Sequence, residues 1–134
     1  MKTAPSSPGR ATKEGAALAL AREVLEIEAK AISDLISRLD QRFVQTVELI
    51  LNCRGRVVVS GIGKSGHIAR KIASTLASTR TPALFLHPAE ASHGDLGMVT
   101  RDDVFIALSN SGESEELLTL IPLLKRQGAK LVSM

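Results

Sequence analysis

Three serines and a glycine lie in one short turn between a strand-like and a helix-like segment. The turn Ser109–Ser114 follows the apolar run Asp103–Leu108 and precedes the helical pattern Glu115–Gln127. The first turn of a helix leaves backbone N–H groups unpaired and carries the positive end of the helix dipole. Hydroxyls and a glycine beside such N–H groups suit a phosphate. We therefore predict an anion site at this turn; the alternative is that Ser111 or Ser114 only caps the helix.

A glycine-rich turn follows the first predicted strand. Gly61–Gly66 has the pattern G-x-G-x-x-G between a predicted strand, Arg56–Ser60, and a predicted helix, Ser65–Thr79. This pattern is typical of dinucleotide sites, which also need an acid at the end of the second strand. That strand ends at Leu86-His87-Pro88 without one, so a nicotinamide dehydrogenase is the weaker alternative. Lys64 is expected to steady a phosphate or a developing enediolate, unless it is only a solvated loop residue.

The segment His87–Leu96 places two histidines and two acids after the second strand. Histidine exchanges protons near neutral pH and also binds metals. We favour a functional role for His93 and a structural one for His87. A metal held by these histidines and Glu90 is a weak alternative, because their spacing matches no helical ligand pair. His67 is expected to be a surface or capping residue.

Composition limits the classes of function open to a chain of 134 residues. Aromatic residues make up 2% of the chain, so little stacking surface is available for nucleic acid. The net charge of +3 arises from the first 13 residues, and the remainder holds 14 basic and 14 acidic residues. Cys53 is the only cysteine, and no apolar run is long enough to span a membrane. We predict a cytoplasmic protein that binds neither nucleic acid nor membrane.

Strands and helices alternate from Arg56 onward, which predicts an α/β fold with a doubly wound parallel sheet. Ligands bind such sheets at the carboxyl ends of the strands, where all three unusual loops are expected. Pro122 should kink or split the last helix. The predicted strands are Arg56–Ser60, Pro82–Leu86, Asp103–Leu108 and Ala129–Ser133.

The residues before this region are predicted to be a tail and two helices. Residues 1–12 are rich in Pro, Ser and Gly and are predicted to be disordered. Apolar residues recur at helical spacing in Lys13–Leu39, which predicts an amphipathic helix for packing on its own domain or on a partner subunit. Asp40 is expected to cap a second helix, Gln41–Asn52.

The chain resembles a known family in its three loops. Ser109-Asn110-Ser111-Gly112-Glu113-Ser114 resembles the phosphosugar turn of sugar isomerase (SIS) domains. The first loop, with His87-Pro88-x-Glu90-Ala91-x-His93-Gly94-Asp95-Leu96-Gly97, is similar to the narrower arabinose 5-phosphate isomerase family. The resemblance runs from about Ala16 to Met134. It implies a flavodoxin-like three-layer α/β/α domain and a reversible conversion of D-ribulose 5-phosphate to D-arabinose 5-phosphate, the first step of Kdo biosynthesis, with no redox cofactor.

The resemblance also implies roles for individual residues. Lys64, His93 and Glu116 correspond to functional residues of the family, and His87 to a histidine linked to zinc. Arg80 replaces the glycine of the family's Ser-Thr-Gly-Thr-Pro segment, next to Thr81. The implied substrate-binding residues are Gly63, Ser65, Thr81, His93, Ser109, Asn110, Ser111 and Ser114.

The resemblance further implies an incomplete SIS domain at residues 40–134. Family members continue with a fifth strand, further helices, another catalytic glutamate and histidine, and usually a pair of cystathionine-β-synthase-type domains. They assemble as tetramers, and Lys13–Leu39 is our candidate for part of that interface. The chain alone is therefore expected to bind a phosphosugar, and isomerisation is expected to need the continuation. The competing hypothesis is a sensing module that binds a phosphosugar without chemistry.

Overall fold

The computed structural model describes residues 8–134, with side chains described from Lys13 onward. The chain divides into two compact units, one ending at Gln41 and one spanning Arg42–Met134. The predicted disorder of residues 1–12 falls partly on residues 1–7, which lie outside the described residues. For residues 8–12 the prediction of disorder is wrong, because the first helix begins at Pro8.

The first unit is helical. Helix α1 spans Pro8–Asp34 and continues into a 3-10 helix, Leu35–Arg38. The ends of the predicted helix therefore differ from the observed ones, although its type is as predicted. Its large apolar side chains are exposed, among them Leu18, Ile27, Ile32 and Ile36.

The second unit contains a four-stranded, fully parallel sheet in the order β2-β1-β3-β4. The order reverses direction between β1 and β3, which is where doubly wound sheets form their binding crevice. The predicted fold class is confirmed. In chain order the elements are α2 (Gln41–Leu51), β1 (Val57–Gly61), α3 (Gly63–Ser78), β2 (Ala83–Phe85), α4 (Pro88–Ser92), a 3-10 helix (Asp95–Met98), β3 (Val104–Leu108), α5 (Glu115–Gln127) and β4 (Lys130–Ser133).

Helices cover both faces of the sheet, because the β-strands alternate their side chains between the two faces. On one face Val57, Val59 and Ile106 pack with residues of α2 and α3. On the other, Val58 and Phe105 pack with residues of α4 and α5. Both central strands are therefore buried on both sides, which explains their continuous apolar sequences.

A buried carboxylate joins the amino ends of the central strands. Asp103 is 1% exposed, and its two oxygens accept hydrogen bonds from the backbone N–H of Arg56 at 2.6 Å and of Thr100 at 2.7 Å. The Thr100 hydroxyl donates a third at 3.2 Å. These bonds compensate the carboxylate for its loss of water.

One local prediction inside the second unit is wrong, and the prediction that Pro122 would kink or split α5 is wrong as to the split. Helix α5 runs through Pro122 without being split, and ends at Gly128 in the left-handed conformation, as its sequence predicts. The segment His87–Leu96, predicted to be a loop, instead contains helix α4 and part of a 3-10 helix. Five-residue helices lie below the length at which periodicity can be read.

No helix in the described part of the chain combines the length and apolar character needed to cross a membrane.

Candidate functional site

The two turns with the most distinctive sequences lie at the carboxyl edge of the sheet. Strands β1 and β3 are neighbours in parallel register, with Gly61 opposite Leu108. The glycine turn follows β1 and the serine turn follows β3, so both leave the same edge at the reversal of strand order. The predicted convergence of these two loops is confirmed.

The glycine pattern has a packing explanation that involves no dinucleotide. A Cβ at Gly66 would lie 2.7 Å from the Gly61 carbonyl oxygen, and one at Gly61 would lie 3.0 Å from the Ser65 backbone. Gly63 has a left-handed φ of 55°. These glycines therefore permit a tight passage from β1 into α3.

Lys64 and Ser65 lie in the first turn of α3, not in a loop, because this helix begins two residues earlier than predicted. The helix N-cap, Ile62, makes no side-chain cap hydrogen bond. The first N–H groups of α3 are therefore left to water or to a ligand.

The serine turn is held by hydrogen bonds of its own hydroxyls. Ser109 Oγ lies 3.0 Å from Ser114 Oγ and accepts a hydrogen bond from the Gly112 N–H at 3.0 Å. Ser111 Oγ accepts from the Glu113 N–H at 3.2 Å. Ser114 is the N-cap of α5, yet its hydroxyl makes no cap hydrogen bond. The alternative in which these serines serve only to cap the helix is therefore not supported for Ser114.

Lys64 and the serine turn share one pocket. A pocket of about 450 Å³ is lined by Lys64, Ser65, Ser109 and Asn110, four residues that the sequence singled out. Ile68, Leu108 and Met134 complete its lining. Ile68 was missed, although its position four residues after Lys64 places both on one face of α3. One cation, two hydroxyls and the start of α3 around such a space suit an oxyanion.

The two histidines of the middle segment have different surroundings. His87 is half-buried at the N-cap of α4, where its Nδ1 accepts a hydrogen bond from the Ala89 N–H at 3.2 Å. This is the structural role favoured for it. His93 is exposed at the other end of α4 and is not part of the lining of the Lys64 pocket.

Five further predicted residues are absent from the lining of the Lys64 pocket: Gly63, Thr81, Ser111, Ser114 and Glu116. Ser114 lines a neighbouring pocket that shares Ser109 and Met134 with the Lys64 pocket. Glu116 is exposed in the first turn of α5. Thr81 precedes β2 and so lies at the amino edge of the sheet, across the sheet from Lys64. Its predicted substrate contact therefore does not fit this pocket within one chain, because parallel strands place their two ends at opposite edges.

The residues around His87 do not make a complete metal site. The described residues contain no group of three or more His, Cys, Asp or Glu side chains that could hold a metal ion. One nitrogen of His87 is also engaged by the backbone of α4. A structural zinc site needs four ligands and a catalytic one usually three from the protein. Zinc at His87 stays a prediction.

Comparison with known proteins identifies the family. The sequence model of the SIS domain family matches residues 50–134. This stretch contains all four strands and both turns of the Lys64 pocket. The chain belongs to the SIS domain family. The resemblance found in the serine turn is thereby confirmed.

Two curated relatives are similar to this SIS domain along most of the chain. The arabinose 5-phosphate isomerase KdsD of Pseudomonas aeruginosa is 56% identical over 114 residues, which cover 85% of this chain. The protein of the same name from Yersinia pestis is 56% identical over 113 residues, covering 84%. The chain spans only 35% and 34% of the lengths of these relatives.

Solved structures share the fold. The E. coli CFT073 protein c3406, solved in complex with A5P, has a TM-score of 0.83 at 45% identity, covering 89% of this chain and 63% of that chain. The phosphoheptose isomerase GmhA from Neisseria gonorrhoeae has a TM-score of 0.65 at 16% identity, covering 91% and 73%. The second likeness concerns the fold alone.

Proposed function

We propose that this SIS domain is the phosphosugar-binding part of an aldose–ketose isomerase that interconverts D-ribulose 5-phosphate and D-arabinose 5-phosphate. The observation that carries the proposal is the shared pocket of Lys64, Ser65, Ser109 and Asn110 at the start of α3, which has no side-chain cap. The names of the two relatives and the A5P complex support this choice of substrate. The reaction is the first step of Kdo biosynthesis.

The proposed reaction rearranges protons and leaves the oxidation state of the whole sugar unchanged. Starting from the aldose, a base removes the proton on C2, and the C–H electron pair forms the double bond of an enediol as the C1 oxygen is protonated. Return of a proton to C1 and loss of the proton on the C2 oxygen give the ketose. No redox cofactor is required, and a cation near the developing enediolate lowers the barrier.

Lys64 and the serine turn divide this work in our proposal. The hydroxyls of Ser65, Ser109, Ser111 and Ser114 hold the phosphate together with Asn110. Gly63 is left out, because it lines the other side of the glycine turn. Lys64 steadies the phosphate or the developing enediolate, and only contact with the phosphate contributes to the affinity for the unreacted sugar. By resemblance, His93 and Glu116 act on the protons of the sugar. Thr81 is left out, because it lies at the opposite edge of the sheet.

Two measurements on one sample test the proposal. Isothermal titration of the chain with D-arabinose 5-phosphate is expected to show saturable binding, and an isomerase assay reports turnover separately. Lys64→Ala should weaken binding by about tenfold or more, because hydrogen bonds to charged groups contribute about 1.5–3 kcal/mol. Lys71→Ala is the matched control, since Lys71 is also exposed on α3 but is absent from the lining of the pocket.

The outcomes separate the candidate functions. Binding with turnover supports the isomerase. Binding without turnover supports a phosphosugar site in this chain and leaves the chemistry to residues elsewhere or to a sensing role, which the exposed positions of His93 and Glu116 would suit. A parallel titration with NAD tests the dehydrogenase alternative: if NAD bound and the sugar did not, the phosphosugar proposal would be wrong.

Self-association as a homotetramer is the second part of the proposal. The exposed apolar residues of α1 support it, because a monomer seldom exposes a long apolar stripe. Removal of residues 1–39 is expected to lower the assembly state in sedimentation. An unchanged state would exclude α1 from the interface.

A further inference from the structure

A second pocket lies on the β2 side of the glycine turn, whereas the Lys64 pocket lies on the β3 side. It has a volume of about 230 Å³, and three of its lining side chains are His67, Arg70 and His87. It shares none of its lining residues with the Lys64 pocket. His67 and Arg70 lie three residues apart on α3, and so present their side chains on one face of that helix.

Arg70 is held against an aromatic ring. The carbon at the centre of its guanidinium group lies 4.0 Å from the centroid of the Phe85 ring. Such a cation–π contact fixes the group without using its N–H donors. Those donors form a planar fork that matches two oxygens of a carboxylate or phosphate.

Neighbouring groups fix the position of His87 and the tautomer of its neutral ring. Ser60, 0% exposed, donates from Oγ to the Leu86 carbonyl at 2.6 Å, which anchors the chain immediately before His87. The Phe85 and His87 rings meet edge to face, with centroids 6.2 Å apart. Because His87 Nδ1 accepts the Ala89 N–H, a neutral ring carries its proton on Nε2, which makes that nitrogen a donor.

The charges around the second pocket decide which class of ligand it fits. Its titratable side chains are one guanidinium and two imidazoles, and no carboxylate lines it. A metal cation would be repelled by the positive charge of Arg70. The described residues also offer no set of three His, Cys, Asp or Glu ligands. The N–H donors of Arg70 and His87, beside the glycine turn, match an acceptor that carries negative charge.

We infer that His67, Arg70 and His87 form a binding pocket for a small oxyanion, a phosphate or carboxylate group, separate from the phosphosugar site. Arg70 binds two of its oxygens, and His87 donates from Nε2. Neither Arg70 nor His67 has a role in the isomerase proposal, so the two proposals are tested independently.

Nuclear magnetic resonance of the ¹⁵N-labelled chain distinguishes the two pockets. Inorganic phosphate is added at constant pH and ionic strength, and malonate is added to a second sample as the carboxylate probe. The side-chain signals of Arg70, His67 and His87 report the second pocket, and the Gly112 and Glu113 amides report the serine turn. We expect saturable shifts of all three side chains with at least one probe, and the stronger probe identifies the ligand class.

Arg70→Gln tests the central contact. It should weaken binding at the histidines by about tenfold or more, because a charge-assisted bidentate pair is lost, and it should leave the serine-turn shifts unchanged. Arg126→Gln is the control, because it removes the same charge from an exposed site on α5. Histidine shifts that are absent with both probes, or equally large in the Arg70→Gln chain, would overturn the inference, whatever happens at the serine turn.

Discussion

The two ends of strands β1 and β3 carry polar clusters of opposite character. At the amino edge, the Asp103 carboxylate is buried and accepts hydrogen bonds from Arg56 and Thr100. At the carboxyl edge, the hydroxyls of the serine turn bond to one another and to the turn's own backbone, and Ser111 and Gly112 are exposed. The first cluster is closed to solvent and the second is open.

This difference separates a role in stability from a role in binding. A buried polar group must have its partners inside the protein, so its loss is felt by the whole fold. An exposed group can exchange a neighbouring hydroxyl or water for a ligand at small cost. We therefore expect substitutions at the amino edge to change the free energy of unfolding, and substitutions of the open groups at the carboxyl edge to change ligand affinity.

Asp103→Ala is expected to have the largest effect. It leaves the N–H groups of Arg56 and Thr100 without their acceptor. A fully buried unsatisfied group costs about 1–3 kcal/mol, and these two bonds are part-buried, so the free energy of unfolding should fall by roughly 2–4 kcal/mol. Urea denaturation measures the loss. Asp102→Ala is the control, because that neighbouring side chain is exposed and should change the value by less than about 0.5 kcal/mol. Equal losses in both variants would show that the buried cluster does not hold this edge together.

Gly66→Ala tests whether the carboxyl edge also contains a position at which an added side chain lowers stability. The added Cβ would lie 2.7 Å from the Gly61 carbonyl oxygen, a backbone atom that cannot rotate away. Overpacking of this kind costs about 1–3 kcal/mol of stability. Thermal and urea unfolding should show the loss, whereas Gly97→Ala, where the added Cβ meets nothing within 4 Å, should lose much less. If Gly66→Ala left the free energy of unfolding unchanged, the connection between β1 and α3 would not be tightly packed.

Ser109→Ala should affect binding more than stability. The Ser109 hydroxyl contacts Ser114 Oγ and the Gly112 N–H, and its residue is only half-buried. Titration with D-arabinose 5-phosphate should show an affinity about tenfold lower, which corresponds to about 1.4 kcal/mol, with a smaller change in the free energy of unfolding. Ser74→Ala, at an exposed position on α3, is the control. A large loss of stability with unchanged affinity would assign Ser109 to the fold instead of the ligand.

The sequence predicted the sheet and the position of the Lys64 pocket because both depend on local patterns. Continuous apolar runs identify strands that are buried on both faces, and parallel connections bring the turns after β1 and β3 to one edge. Lys64, Ser65, Ser109 and Asn110 could therefore be grouped without knowledge of distances. Their roles in catalysis and binding stay predictions.

The failures have physical causes that lie outside local pattern. Thr81 was assigned to the substrate by resemblance; it precedes β2, at the other edge of the sheet from Lys64, and its contact with a substrate stays a prediction. The pocket of His67, Arg70 and His87 was not predicted, because it depends on the packing of Arg70 on Phe85 across two elements. Pro122 was expected to disturb α5, yet the buried side chains of Leu117, Leu120 and Leu124 anchor that helix on both sides of the proline.

Arg80→Gly should have the smallest effect, and one of opposite sign. Arg80 has a φ of 71°, which costs a residue with a side chain about 1–2 kcal/mol, and it occupies the position where the family's segment has glycine. Glycine removes this strain but gains freedom in the unfolded chain, so the net rise in the free energy of unfolding should be roughly 0.5–1 kcal/mol. Affinity for D-arabinose 5-phosphate should stay constant, because Arg80 lies at the amino edge of the sheet. A change in affinity would show that the Arg80–Thr81 segment reaches a substrate after all, and the division between a stabilising edge and a binding edge would then fail at this segment.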